Sequence, residues 1–128
     1  MKAVDTNVLT RYLIGDDAKQ LRAARLLIDG GVIVPQTVLL ETAWVLESAY
    51  GLSTKEVADL LRALFRVTTV SVVDPPQVKE ALRLYEAGLD FADAMHTVTS
   101  PVDQLRTFDK NFVKRAKRAK TKIVVEGL

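Results

Sequence analysis

The sequence contains no cysteine and a single histidine, His96. Without cysteine the chain can form no disulfide framework, thiolate metal site or cysteine nucleophile. A zinc site of the usual nitrogen and sulfur type is therefore not expected. No apolar run approaches the roughly 20 residues of a membrane span, and residues 1–5 lack the apolar stretch of a signal peptide. We therefore expect a cytoplasmic protein that does not enter a membrane.

The chain contains enough apolar residues for one folded domain over residues 1–128. Hydrophobic residues make up 48% of its 128 residues, which excludes a disordered chain. The net charge of +2 hides an asymmetry. Residues 110–128 carry seven Lys or Arg and one acid, whereas residues 1–109 carry 11 Lys or Arg and 15 acids. A basic end is consistent with a polyanionic partner or with a solvated helix face.

Short apolar strands alternate with helices along the whole chain. Residues 2–5, 32–34, 68–73, 104–107 and 123–125 are predicted as strands. Between them, helices are predicted at residues 18–29, 35–50, 53–65, 75–88, 90–99 and 111–118, and Asp5 also starts a helix. This alternation predicts an α/β fold with a mostly parallel sheet. In such sheets ligands bind at the carboxyl ends of the strands.

Two acids follow predicted strands and would project at that edge. Asp5 ends the first strand, and Asp109 comes two residues after the strand that ends at Thr107. Each is also a good helix N-cap, and for either residue alone the cap is the better interpretation.

Glu41 lies in an otherwise apolar helical segment, residues 38–46. We expect this helix to be largely buried. A carboxylate buried without a partner would cost several kcal/mol. It must then meet a cation, be protonated or face a functional cleft, and Arg11 and Arg25 are the candidate cations.

Asp90 and Asp93 form a polar stripe with Thr97 and Ser100 at helical spacing. Acids in a first helical turn also complement the helix dipole. Asp90 is the better cap, and Asp93 is the better ligand candidate.

Carboxylates held together repel each other by about 1 to 4 kcal/mol per pair at 4 Å. A divalent cation relieves this repulsion, and an all-oxygen donor set favours Mg²⁺ or Mn²⁺. The corresponding chemistry is attack of a metal-activated water on a phosphodiester.

Four short motifs together resemble one family, the PIN-domain ribonucleases, and within it the VapC-type toxins of toxin–antitoxin pairs. The motifs are VDTNVL at residues 4–9, LETA at 40–43, DFADA at 90–94 and TFDKNF at 107–112. They are specific in combination, and the likeness covers almost the whole chain.

The resemblance implies a three-layer α/β/α sandwich, a homodimer and endonucleolytic cleavage of RNA. It also implies that four carboxylates bind the metal and that three polar residues support them. The implied ligands are Asp5, Glu41, Asp93 and Asp109, and the implied supporting residues are Asn7, Asp90 and Thr107. A cognate antitoxin protein would restrain the activity.

Other functions remain open at this stage. An aspartyl-phosphate phosphatase with Asp5 as nucleophile would need a second acid two residues later, where Asn7 stands. A free-standing RNA-processing nuclease and a non-catalytic RNA- or partner-binding domain on the same fold are further alternatives.

Several other residues have two interpretations each. Four cations, Lys110, Lys114, Arg115 and Arg118, are RNA-binding candidates. His96 is more often a bystander than a proton donor. Trp44 is expected in the core rather than stacked on a base. The apolar stripe of residues 52–65 is core, dimer surface or antitoxin groove.

Overall fold

The computed structural model describes residues 1–128 and contains seven α-helices, one 3₁₀ turn and five short strands. The contacts between residues divide the chain into two compact units, Met1–Val73 and Asp74–Leu128. Each unit is described separately. None of the helices combines the length and hydropathy of a membrane span.

The first unit is a small parallel sheet with helical connections. Its elements are β1 (Lys2–Ala3), α1 (Thr6–Ile14), α2 (Ala18–Asp29), β2 (Val32–Val34), α3 (Gln36–Ser48), α4 (Thr54–Ala63), a 3₁₀ turn (Leu64–Arg66) and β3 (Val70–Val72). The strand order is β1-β2-β3, and both pairings are parallel. Helices connect the successive strands, as parallel pairing requires, and this confirms the predicted alternation.

The core of the first unit consists of aliphatic side chains from the central strand and the helices around it. Val32 and Val34 of β2 are fully buried, as are Leu9 of α1 and Leu46 of α3. A β-branched run of this kind is typical of a strand covered on both faces.

The apolar stripe of residues 52–65 also belongs to the core. Val57, Leu61 and Leu64 are each at most 1% exposed. Of the three interpretations of this stripe, the structure therefore selects core packing over a dimer surface or an antitoxin groove.

The second unit contains three helices and a two-stranded sheet. Its elements are α5 (Pro75–Glu86), α6 (Phe91–Thr99), β4 (Gln104–Thr107), α7 (Lys110–Ala119) and β5 (Val124–Gly127). β4 and β5 are parallel, with Gln104 opposite Val124. The rings of Tyr85 and Phe91 meet edge to face, with centroids 5.5 Å apart.

Local sequence signals account for most boundaries of the elements. Ser53 and Glu56 form the predicted capping box of α4 through reciprocal hydrogen bonds of 3.2 and 3.0 Å. The strand predicted at residues 68–73 is shorter in the structure, because β3 pairs only with the three residues of β2. The helices predicted to reach residues 50 and 65 end at Ser48 and Ala63.

Candidate functional site

Asp5 follows β1 and is the N-cap of α1. Its backbone is extended, and its carboxylate accepts a hydrogen bond of 3.1 Å from the amide of Val8. The side chain is exposed. The capping interpretation is thus confirmed, and the capping bond uses Oδ1 of the carboxylate.

Glu41 lies on the exposed face of α3, so the expectation that it is buried is wrong. The helix buries Leu39, Ala43 and Leu46 on one side, whereas Glu41 and Trp44 face solvent. The apolar character of the segment is therefore directional, and no burial penalty demands a cation beside Glu41.

The partner of Glu41 is Thr6. Oγ1 of Thr6 donates a short hydrogen bond to Oε1 of Glu41. The salt bridge considered with Arg11 is not formed, since Arg11 lies 3.3 Å from Asp16 and donates to the hydroxyl of Tyr50.

Thr6 holds the Glu41 carboxylate, although no sequence motif marks it as a partner of that acid. It is 8% exposed and immediately follows Asp5. Its hydroxyl therefore links the second acidic motif to the residue beside the first. The two partners are 35 positions apart in sequence, and no local pattern indicates their contact.

Asn7, a supporting residue in the resemblance, is exposed in the first turn of α1. It lines a mostly apolar cavity of about 280 Å³ beside Arg11 and Gln20. The structure shows no hydrogen bond that ties it to Asp5 or Glu41.

In the second unit, Asp93 occupies the first turn of α6 and is half-buried. Burial raises its pKa, and the negative charges of Asp90 and Asp109 raise it further. His96 and Arg115 act in the opposite direction. The second unit thus concentrates negative charge around Asp93.

Asp90 is at the N-cap position of α6, as predicted, but its carboxylate makes no capping hydrogen bond. Thr97 does not belong to an open polar stripe, because it is buried and donates to the carbonyl of Ala94 at 2.8 Å. His96 is exposed.

Asp109 follows β4 and caps α7. Its Oδ1 accepts from the amides of Asn111 and Phe112 at 3.0 and 3.1 Å. The hydroxyl of Thr107 accepts from the amide of Asp109 at 3.0 Å. Thr107 therefore fixes the backbone that leads into Asp109.

A basic surface covers α7 and the turn after it. We define the basic surface by its seven exposed cations, Lys110, Lys114, Arg115, Lys117, Arg118, Lys120 and Lys122. The opposite face of α7 buries Phe112, Ala116 and Ala119. Because the apolar face anchors the helix, the cations lie together on its solvent side, where they can meet phosphates.

The carboxylates fit a hard divalent cation in chemistry, since every candidate ligand is an oxygen. No group of three or more Asp, Glu or His side chains forms a metal-binding cluster in the structure.

A family model described as the PIN domain matches residues 2–118. The chain belongs to the PIN-domain family. A search of curated proteins and a search of solved structures each returned no significant match. PIN domains are generally nucleases and typically bind a divalent metal ion. The match also confirms the predicted fold class, a PIN-like three-layer α/β/α sandwich with parallel strands.

Each unit contributes part of the PIN motif set. In Met1–Val73 the structure brings Thr6, adjacent to Asp5, to Glu41. In Asp74–Leu128 it brings Asp93 under the electrostatic influence of Asp90 and Asp109.

Proposed function

We propose that this PIN domain is a Mg²⁺-dependent endoribonuclease and the toxin of a toxin–antitoxin pair. The observation that carries the proposal is the family match over residues 2–118 combined with an acid at each of the four motif positions. A domain that had lost catalysis would have no need to keep all four carboxylates. This argues against the non-catalytic alternative.

The four carboxylates Asp5, Glu41, Asp93 and Asp109 are proposed to bind Mg²⁺, with Mn²⁺ as a possible substitute. A bound ion would offset the charge of these carboxylates and would supply a metal-activated water and stabilisation of the leaving oxygen. Asp5 and Asp109 are held by their capping bonds, and Glu41 is held by Thr6. Because these side chains are already held in place, less conformational entropy would be lost when they bind the metal ion.

The basic surface is proposed to bind the RNA backbone. Contacts from Lys110, Lys114, Arg115 and Arg118 to phosphates would be independent of sequence, because phosphates position a nucleic acid but do not specify it. The positive charge of Arg115 also lowers the pKa of Asp93, against the larger upward effect of burial.

The toxin assignment adds a homodimer, a cytoplasmic location and a cognate antitoxin protein to this proposal. The support is the resemblance of the four motifs to VapC-type toxins. A free-standing RNA-processing nuclease would share the same site. The two are separated by expressing the protein alone, which should arrest growth, and with its neighbouring gene, which should restore growth.

The biochemical test is cleavage of RNA by the purified protein with Mg²⁺, with EDTA, and in the variants Asp5→Asn and Asp93→Asn. We expect cleavage with Mg²⁺, none with EDTA, and a loss of at least about a hundredfold in each variant, about 2.7 kcal/mol of barrier. Asp29→Asn, at an exposed position at the end of α2, is the matched control and should retain activity. Cleavage that survives EDTA would reject the mechanism.

A further inference from the structure

The strand β5 has one paired edge and one open edge. It forms a two-stranded sheet with β4, and the amides of Val124 and Leu128 donate to carbonyls on the β4 side at 2.9 and 3.0 Å. Alternate residues of a parallel strand direct their backbone groups to opposite sides, so Val125 and Gly127 face away from β4. The Gly127 carbonyl accepts from the Arg106 side chain at 2.8 Å. The amide and carbonyl of Val125 and the amide of Gly127 remain on the open edge.

A groove of about 400 Å³ lies along this edge. It is lined on one side by residues 124–127 of β5 and on the other by Val113, Ala116, Lys117, Lys120, Thr121 and Ile123. We call it the edge groove. No residue of β4 lines it, which places it beside the unpaired backbone groups.

The edge groove has an apolar wall and a positively charged rim. Ala116 is 2% exposed, and Val113 and Ile123 are half-buried. Lys117 and Lys120 are exposed, and neither is among the four cations proposed to bind the RNA backbone. The rim therefore offers positive charge that the proposed nuclease function does not use.

An open strand edge beside a groove is a template for an extended peptide. In this binding mode, main-chain hydrogen bonds give affinity and alternate side chains give specificity. The side chains of β5 alternate in this way, since Val125 is 4% exposed and Val124 is 52% exposed, and Glu126 is exposed on the same face as Val124. An added strand would present alternate side chains to α7 and to the face of Val124 and Glu126.

The charges of the edge groove are complementary to a strand that alternates acidic and apolar residues. Its acidic side chains would meet Lys117 and Lys120, and its apolar ones would cover Val124 without placing a charge beside Glu126. RNA cannot alternate in this way, because it carries a phosphate at every nucleotide. A second copy of the chain would bring two basic surfaces together, and like charges oppose association.

We propose that the edge groove binds an extended segment of a partner protein, in which acidic and apolar residues alternate and which adds to β5 as a third strand. None of the candidate metal ligands lines the groove. The proposal therefore goes beyond the nuclease function and does not depend on it.

The test is an NMR titration of the ¹⁵N-labelled full chain, because a short strand held by few hydrogen bonds binds weakly. The probe is the acetylated and amidated peptide Ser-Glu-Val-Glu-Val-Glu-Ser. We expect chemical-shift changes concentrated in residues 124–127, and slower hydrogen exchange at the amides of Val125 and Gly127. The absence of changes at these two amides would overturn the proposal.

Two control peptides separate strand addition from general attraction. N-methylation of the five central residues removes the peptide's hydrogen-bond donors but keeps its charges, and this peptide should not bind. Lysine in place of the three glutamates should weaken binding at least about tenfold. Equal affinity for either control would overturn the proposal. The same amide shifts produced by oligouridylate, or by raising the protein concentration alone, would also overturn it in favour of RNA or of a second copy.

A pair of charge-reversal variants on α7 tests the rim. Lys117→Glu should weaken binding of the acidic peptide roughly fivefold. Arg118→Glu is the matched control, because it makes the same charge change at an exposed neighbouring position that does not line the groove. It should change the affinity by no more than about twofold. Equal weakening by both variants would indicate attraction to the net charge alone and would overturn the proposal, as would unchanged affinity in Lys117→Glu.

Discussion

Replacing Thr6 by valine tests whether its hydroxyl positions the Glu41 carboxylate. Valine nearly matches the volume of threonine at this buried position but cannot donate to Oε1 of Glu41. A hydrogen bond to a charged group contributes about 1.5–3 kcal/mol. Because Glu41 is exposed and water can replace the hydroxyl, we expect the free energy of unfolding to fall by only about 1 kcal/mol.

The larger effect should be on the metal dependence of activity. Without the Thr6 hydroxyl, the Glu41 side chain can adopt several rotamers in the metal-free protein. Ordering it again on metal binding costs up to about 2 kcal/mol of conformational entropy. Since about 1.4 kcal/mol corresponds to a factor of ten, the Mg²⁺ concentration for half-maximal cleavage should rise roughly tenfold. The assay is initial cleavage rate against Mg²⁺ concentration, together with urea unfolding.

Thr10→Val is the matched control for this variant. Thr10 lies one turn later on α1, is 4% exposed, and donates to the carbonyl of Thr6 rather than to Glu41. It should alter stability by no more than about 1 kcal/mol and leave the Mg²⁺ dependence unchanged. If Thr6→Val shows the same Mg²⁺ dependence as the unmodified protein, Thr6 does not position a metal ligand and the reasoning is refuted.

Three further predictions follow from the structure. Thr42→Val should raise the free energy of unfolding by about 1 kcal/mol in urea, because Oγ1 of Thr42 is buried without a hydrogen-bond partner; a loss of stability would contradict this. The hydrogen bond from Arg83 holds the pKa of Glu80 below its ordinary value of 4.5. Glu80→Gln should therefore lower the free energy of unfolding by roughly 1 kcal/mol at neutral pH, and by progressively less as the pH falls through and below that value. A loss of stability independent of pH would show that the Glu80 charge does not stabilise the fold through Arg83. Replacing three cations of the basic surface with alanine, at positions 114, 115 and 118, should reduce the slope of log affinity for single-stranded RNA against log salt concentration by about 2; an unchanged slope would make the basic surface a solubilising face.

Local rules predicted the parts of the site that depend on neighbouring residues. Asp5 and Asp109 cap helices because short acidic side chains after a strand can accept from the amides that begin the next helix. The parallel strand–helix alternation was predictable for the same reason, since each element carries its own periodicity and stop signals.

The predictions that were wrong concern which face of a helix is buried. The apolar content of α3 suggested burial all round, but Leu39, Ala43 and Leu46 define a single buried face. Glu41 and Trp44 therefore lie on the other side. The spacing of the apolar residues along α3 indicates which face is buried, whereas their number alone does not.

Contacts over long sequence separations could not be predicted at all. The bond between Thr6 and Glu41 joins two helices, and the raised pKa of Asp93 depends on how deeply folding buries it. Both arise from packing, and neither has a signature in a local motif.

The most direct test of the central claim is the binding of Mn²⁺, followed by electron paramagnetic resonance, in the unmodified protein and in two variants. Asp5→Asn lies in the first unit and Asp93→Asn in the second. If the four carboxylates serve a common cation site, each variant alone should weaken Mn²⁺ binding at least tenfold, and Mg²⁺ should displace the ion from the unmodified protein. Mn²⁺ binding that is unaffected by one of the two variants would contradict the account.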